Sequence, residues 1–296
     1  TVTSAAGTPT GSVTFYEAGS PIGSSSLSGG VASLNTSALS IGTHSITATY
    51  DGDVNFLDSA SNSVDQVVNC LPSVVVTSSA DSGAGTLRRA IADVCSGGAI
   101  DFNLTYPNTI TLASTLVIDK SVNINGPTGE SLALSGNNAV RVLMINAGIE
   151  VTLNQLNIVN GNVDYGGGLY NYGRLTIQNS TISGNRATVG GGIFNSGQLT
   201  LTNSTVSGNS TTFDGGGITT AGAASALAII NSTISGNSVP GGGGGLEATS
   251  THNVAITNTI IAGNTGSLVW GPDCYTPSGS VQSHGYNVIG STQACV

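Results

Sequence analysis

The chain has 296 residues, a net charge of −9 and only 7% charged side chains, with Gly at 43 positions. Its 39% hydrophobic content excludes a disordered chain, which would be charge-rich and apolar-poor. Six Lys and Arg in total leave no basic patch for a phosphate backbone, so nucleic acid is excluded as a partner. No run of about 20 apolar residues offers a membrane span. Residue 1 is Thr and no leader is visible, so the chain is expected to be a mature or excised part of a longer precursor.

Residues 1–69 alternate apolar and polar positions in short bursts: SVTFYE (12–17), GVASLNTS (30–37) and HSITATY (44–50). Turn residues separate them at 19–21, 29–30, 42–43 and 51–53. Period-two strands without a helical period predict a small β-sandwich. Asp51, Asp53 and Asp58 have a spacing that fits no calcium loop and are read as turn residues. The wording GTPTGSVTFYEAG and GTHSITATYDGDVNF resembles bacterial Ig-like domains, which occur in tandem in secreted and surface proteins. By that resemblance the opening strand is missing. A sandwich without an edge strand exposes unpaired backbone groups. Truncation, another element of the chain, or a strand donated by a second copy would each answer that need. The last would link copies head to tail into a fibre.

A second domain is expected over 70–296. VVVTSSADSGAGTLRRAIADVCSGGAIDF holds the one convincing helix, at about 85–95. Thr86 is its N-cap, and Leu87, Ala90, Ile91 and Val94 fall on one face. A single short helix ahead of a long β-array reads as a cap over the open end of that array.

NSTISGN occurs at 179–185 and 231–237, with NSTVSGN at 203–209. Gly-Asn pairs at 161–162, 184–185, 208–209, 236–237 and 263–264 are separated by 23, 24, 28 and 27 residues. Each of the first four is followed by a glycine triplet and a short apolar stretch. This period is the signature of a parallel β-solenoid, with coils about 4.8 Å apart. Three inward columns are predicted: Leu175, Leu199, Leu227 and Val254; Ile177, Leu201, Ile229 and Ile256; Ile182, Val206, Ile234 and Ile261. Asn179, Asn203, Asn231 and Asn258 are expected to stack as a buried amide ladder at a bend, and Asn185, Asn209, Asn237 and Asn264 as a second. The Asn-Ser-Thr triplets are also glycosylation sequons, but their place in the repeat favours the ladder. Thr181, Thr205, Thr233 and Thr259 form an outward rank of the kind ice binding would need, which is the weakest of the functional readings.

Cys70, Cys95, Cys274 and Cys295 form two close pairs, and loop-closure cost favours Cys70–Cys95 with Cys274–Cys295. Paired cysteines point to an oxidising compartment; four reduced core cysteines would fit a cytosolic protein instead. The motifs ADSGAGTLRRAIADVCSGGAIDF, NSTISGN with GGGIFN, and GPDC with SHGYNVIGSTQAC resemble the CSLREA and choice-of-anchor type of right-handed parallel β-helix protein. That resemblance implies an all-β chain, an extracellular or cell-surface location, and a C-terminal cap at about 270–296 stapled by Cys274 and Cys295. It names no activity.

Related β-helices include polysaccharide lyases and hydrolases, which need clustered carboxylates. Asp119, Glu130, Glu150, Asp164, Asp214, Glu247 and Asp273 are scattered in sequence. Asp164 and Asp214 fall two coils apart before glycine triplets and are the one pair to weigh, about 10 Å apart. Arg141, Arg174 and Arg186 read as solvated charges; His252 and His284 have no catalytic partners in sequence. No catalytic, cofactor or metal-ligand motif is present, and Gly241–Gly245 reads as a corner rather than a phosphate cradle. The expectation is a non-enzymatic extracellular structural or adhesive protein, with glycans, other surface proteins or its own copies as partners. The alternative is a carbohydrate-binding or carbohydrate-active, pectate-lyase-like β-helix.

Overall fold

The computed structural model describes residues 1–249, 253–277, 280–291 and 295. The chain divides into two compact units, Thr1–Cys70 and Leu71–Val296. In the first, β1 (Ser12–Glu17) pairs antiparallel with β2 (Ser20–Ser26) and β3 (Gly42–Tyr50); β3 also pairs with β4 (Ser59–Ala60) and β5 (Val64–Val68). Val13 lies opposite Tyr50, and Phe15 opposite Ala48, so alternate residues gather on one face. These strands form one five-stranded sheet; the other layer is irregular chain. Thr1, Val2, Thr3 and Ala32 look across at Val13, Phe15, Ala48 and Tyr50 over a groove of about 310 Å³. The Asp53 carboxyl accepts from Thr10 N, Thr10 Oγ1, Asn55 N and Phe56 N. It is a turn lock, and those bonds, that from the Thr10 hydroxyl foremost, hold its pKa well below the usual carboxylate range.

The second unit opens with β6 (Leu71–Val76), α1 (Leu87–Asp93) and β7 (Val94–Phe102). Thr86 caps α1, its Oγ1 accepting from Arg89 N. Leu87, Ala90, Ile91 and Val94 are all buried in the solenoid core. Arg88 and Arg89 pair with Asp81 and Asp93, and Lys120 Nζ donates to the carbonyls of Ala92 and Val94 at the helix C-terminus.

Beyond the cap the chain winds into three parallel stacks of nine, eight and seven strands, with a three-stranded stack beside them. One coil shows the grammar. Arg174–Gln178 lies in the first stack, Thr181–Ser183 in the second, Arg186–Val189 in the outer three-stranded one and Ile193–Asn195 in the third. Leu175 stacks on Leu199, then Leu227, then Val254; Ile177 on Leu201, Ile229 and Ile256; Ile182 on Val206, Ile234 and Ile261. All of these are at most 2% exposed.

NSTISGN divides its labour residue by residue. Asn179, Asn203, Asn231 and Asn258 sit at φ of 48 to 52°. This is the left-handed region that Asn tolerates better than other side chains. Their amides do bond from coil to coil, as Asn203 to Asn179 and Asn258 to Asn231, but the residues are exposed. The expectation of burial is therefore wrong for this column: the bend turns the side chain outward. The serine that follows is the buried one. Ser180 N donates to Ser204 Oγ and Ser204 N to Ser232 Oγ, while each of those hydroxyls donates to a carbonyl two residues back. The sequon triplet is thus a turn plus a hydroxyl ladder.

The closing Asn is the buried amide. Asn185 Nδ2 donates to Asn209 Oδ1, Asn209 Nδ2 to Asn237 Oδ1, and Asn237 Nδ2 to Asn264 Oδ1, at 2.9 to 3.0 Å. Each Oδ1 also accepts the backbone N–H of the preceding member. Gly161 N donates to Asn185 Oδ1, and Asn162 is in register with Arg186. Aligning Gly161-Asn162 with Gly184-Asn185 is therefore off by one: Gly161 occupies the ladder position and the first step is one residue longer. A third ladder escaped the repeat reading. Asn171 Nδ2 donates to Asn195 Oδ1, and Asn195 Nδ2 to Thr220 Oγ1, all buried.

One further expectation changes. Thr259 is not in the outward threonine rank, because Thr233 is in register with Ile260; Thr259 instead takes the buried serine position. The rank keeps Thr181, Thr205 and Thr233 and ends there. Cys274 and Cys295 are bonded, with Cα atoms 5.2 Å apart, and Cys70 and Cys95 are each disulfide-bonded.

Candidate functional site

The third stack sends one column of side chains to the face away from the core, Val117, Met144, Tyr170, Phe194, Thr219, Glu247 and Tyr275, in register on successive coils, and within it Phe194, Thr219 and Glu247 are covered by their neighbours. The column exists because each strand of this stack buries its first residue, as Leu169, Ile193, Ile218 and Leu246, and pleating sends the next one to the other face. The first glycine of each preceding triplet, Gly166, Gly190, Gly215 or Gly243, stands at φ of 61 to 67° and turns the chain into the strand.

Midway along, the column is aromatic. Tyr170 and Tyr172 stack with ring centroids 4.1 Å apart and planes at 18°. Phe194 meets Tyr170 at 4.8 Å and Tyr165 at 5.4 Å, both edge to face. Arg141 lies 5.2 Å over the Tyr170 ring. Its Nε and Nη2 donate to the carbonyl of Tyr165, Nε also to that of Gly166, and Nη1 to Met144 Sδ. Burial pushes its pKa down. It is therefore not the solvated surface charge that its sequence context suggests. Tyr172 is pushed up to about 12, first by its hydrogen bond with Tyr170 and then by desolvation. It also walls a groove of about 460 Å³ with Arg174, Glu150, Ser196, Gln198 and Ser121.

Further along, the column turns acidic. Glu247 is 3% exposed, and Oε2 accepts from Thr219 Oγ1 at 3.2 Å. Desolvation, and next the charge of Asp214, push its pKa up to about 7. Asp214 Oδ1 accepts from Gly242 N. The sequence scatters these carboxyls; stacking brings them together. Asp164 is not part of the pair. Tyr165 is in register with Val189 and Val189 with Asp214, so Asp164 is one residue out of the column and exposed. Beyond Glu247 come Tyr275 and, 6.4 Å from it, the exposed ring of Trp270. Among the described residues no group of three or more His, Cys, Asp or Glu is placed to hold a metal. His284 is exposed, and His252 lies outside the described residues.

The other residues predicted from sequence belong to architecture rather than to this face. Both asparagine ladders and the Cys274–Cys295 bridge lie at bends and ends of the coils. Residues 1–69 match the family model of the bacterial Ig-like domain, group 3. No curated protein matches the chain.

Proposed function

We propose that this chain is a non-enzymatic extracellular surface protein that adheres to saccharide chains through the outward column of the third stack. The observation that carries the reading is the run of aromatic rings on one side of the solenoid. Tyr165, Tyr170 and Tyr172, packed with the buried Phe194, stand midway along the column, and Tyr275, with Trp270 beside it, lies about 19 Å from Tyr170 at four coil spacings. Rings spaced along a straight rigid scaffold offer flat apolar faces, and the hydroxyl, amide and carboxyl groups around them supply polar contacts. Three further features support a surface location: the Ig-like match, the oxidised cysteines, and the resemblance to choice-of-anchor proteins. The test is a screen of the intact chain on immobilised oligosaccharides, beside Tyr172→Ala and Trp270→Ala. Binding that both substitutions weaken is the expected result; no binding to any saccharide ends the reading.

One observation favours a second reading, a carbohydrate-active enzyme. Asp214 and Glu247 are neighbouring carboxyls, and one of them is raised towards neutrality, as an acid–base pair would need. Release of reducing ends or unsaturated products from a polysaccharide, abolished by Glu247→Gln, would replace adhesion by catalysis.

A further inference from the structure

The saccharide reading leaves open which sugars are preferred, and Arg141 speaks to that. Arg88 and Arg89 have carboxylate partners, and Lys120 ends on the carbonyls of a helix terminus. Arg141 is half-buried, and among the described residues it has no ion pair. Its contacts are two carbonyls, a thioether and a ring. A guanidinium has five N–H donors. Three are engaged, which leaves one on each terminal nitrogen free of protein partners among the described residues. A desolvated cation without a counter-charge is costly, and a bound anion removes that cost. The cation is also held in place by the Tyr165 carbonyl and the Tyr170 ring, so little side-chain freedom is lost on binding.

The surroundings select the anion's body. Tyr170 and Tyr172 form a stacked shelf, and Tyr172 is 43% exposed. The adjoining groove of about 460 Å³ is of a size for one or two sugar rings and is lined by Ser121, Ser196 and Gln198. Arg174 lines the same groove; Glu150, in register with it on the neighbouring coil, is the one acidic side chain there. We infer that the Arg141–Tyr170–Tyr172 corner is a subsite for an acidic saccharide unit, its ring on the tyrosine shelf and its carboxylate on the free N–H groups of Arg141. This rests on the saccharide reading and adds to it a charge preference and a place.

The experiment separates the two. The intact chain is titrated calorimetrically with a uronic-acid tetrasaccharide and with the same tetrasaccharide after its carboxyls are reduced to alcohols. The acidic chain should bind about tenfold tighter, the scale of one charge-assisted contact. Arg141→Gln should abolish that preference, and Arg141→Lys should keep part of it. Added salt should narrow the gap in the parent chain. Equal affinity for both ligands in the parent, or a preference that survives in Arg141→Gln, overturns the acidic subsite and leaves saccharide adhesion standing. Failure of both ligands to bind overturns the two together.

Discussion

Two columns of asparagine run along the same coils six residues apart, and they do opposite things. Asn185, Asn209, Asn237 and Asn264 are 0 to 6% exposed and spend their amides on neighbours above and below. Asn179, Asn203, Asn231 and Asn258 are exposed, and what the fold takes from them is a positive φ. The comparison teaches that a residue repeated in register need not be repeated for its side chain. In one column the amide is structural; in the other the backbone is.

The sharpest break of that comparison is Asn209→Ala. It strips partners from the Asn185 backbone N–H, the Asn185 amide Nδ2 and the Ile182 carbonyl, all inside the coil. Three buried groups left short of a partner and a small void make the expected loss about 3–5 kcal/mol. Urea unfolding measures the loss, and faster amide exchange at Asn185 locates it. A loss below about 1 kcal/mol would mean that the amide is dispensable.

Glu247 extends the contrast to a buried polar group without a ladder. Its folded pKa of about 7 stands above the ordinary 4.5, so the protonated form fits the fold better. The sign follows: this stability is fully present below about pH 4.5 and is lost as pH rises through about 7. The gap corresponds to about 3 kcal/mol, and Asp214 is the charged neighbour that sharpens it. Unfolding midpoints across that window should fall with rising pH in the parent and stay flatter in Glu247→Gln. Parallel profiles would remove Glu247 as the cause.

The smallest effect belongs to the exposed column. Asn203→Ala keeps the fold but removes the short polar side chain whose local hydrogen bonding eases the left-handed region, at about 1 kcal/mol. Asn203→Gly should be close to neutral, although it removes the same amide. A loss for glycine as large as for alanine would mean that the amide–amide contact at 3.4 Å matters after all.

Much of this was legible in the letters. Leu175-Thr176-Ile177 and its relatives alternate with the strand pleat, and each step from coil to coil is shared by all the columns, so the core can be written down from the sequence. What failed did so for physical reasons. The letters Gly-Asn at 161–162 imitate the later pairs, yet the left-handed turn there is made by Asn160, which shifts the register by one. Asn179 and Asn203 are exposed against expectation because a string of letters does not carry the sign of φ. Asp214 and Glu247 are in different strands of different coils, and only the closed stacking of coils of unequal length makes them neighbours. Arg141 looked solvated because the carbonyls that hold it belong to Tyr165 and Gly166, one coil later.

The buried amide ladder has a direction and an end. Every Nδ2 gives one hydrogen to the next coil and the other to a carbonyl of the coil before, and the series finishes where Asn264 Nδ2 and Asn264 N both donate to Asp273 Oδ1. A carboxylate accepts and cannot donate, so nothing can be added below it in the same pattern. Asp273 is to the ladder what a chain terminator is to a polymer: a unit that fits the growing end and offers no site for the next. The number of rungs is thereby written into the chain. Duplication of a whole coil upstream of Asp273 would lengthen the rod without breaking the ladder. The same duplication across it would leave a rung with two facing acceptors and no proton between them.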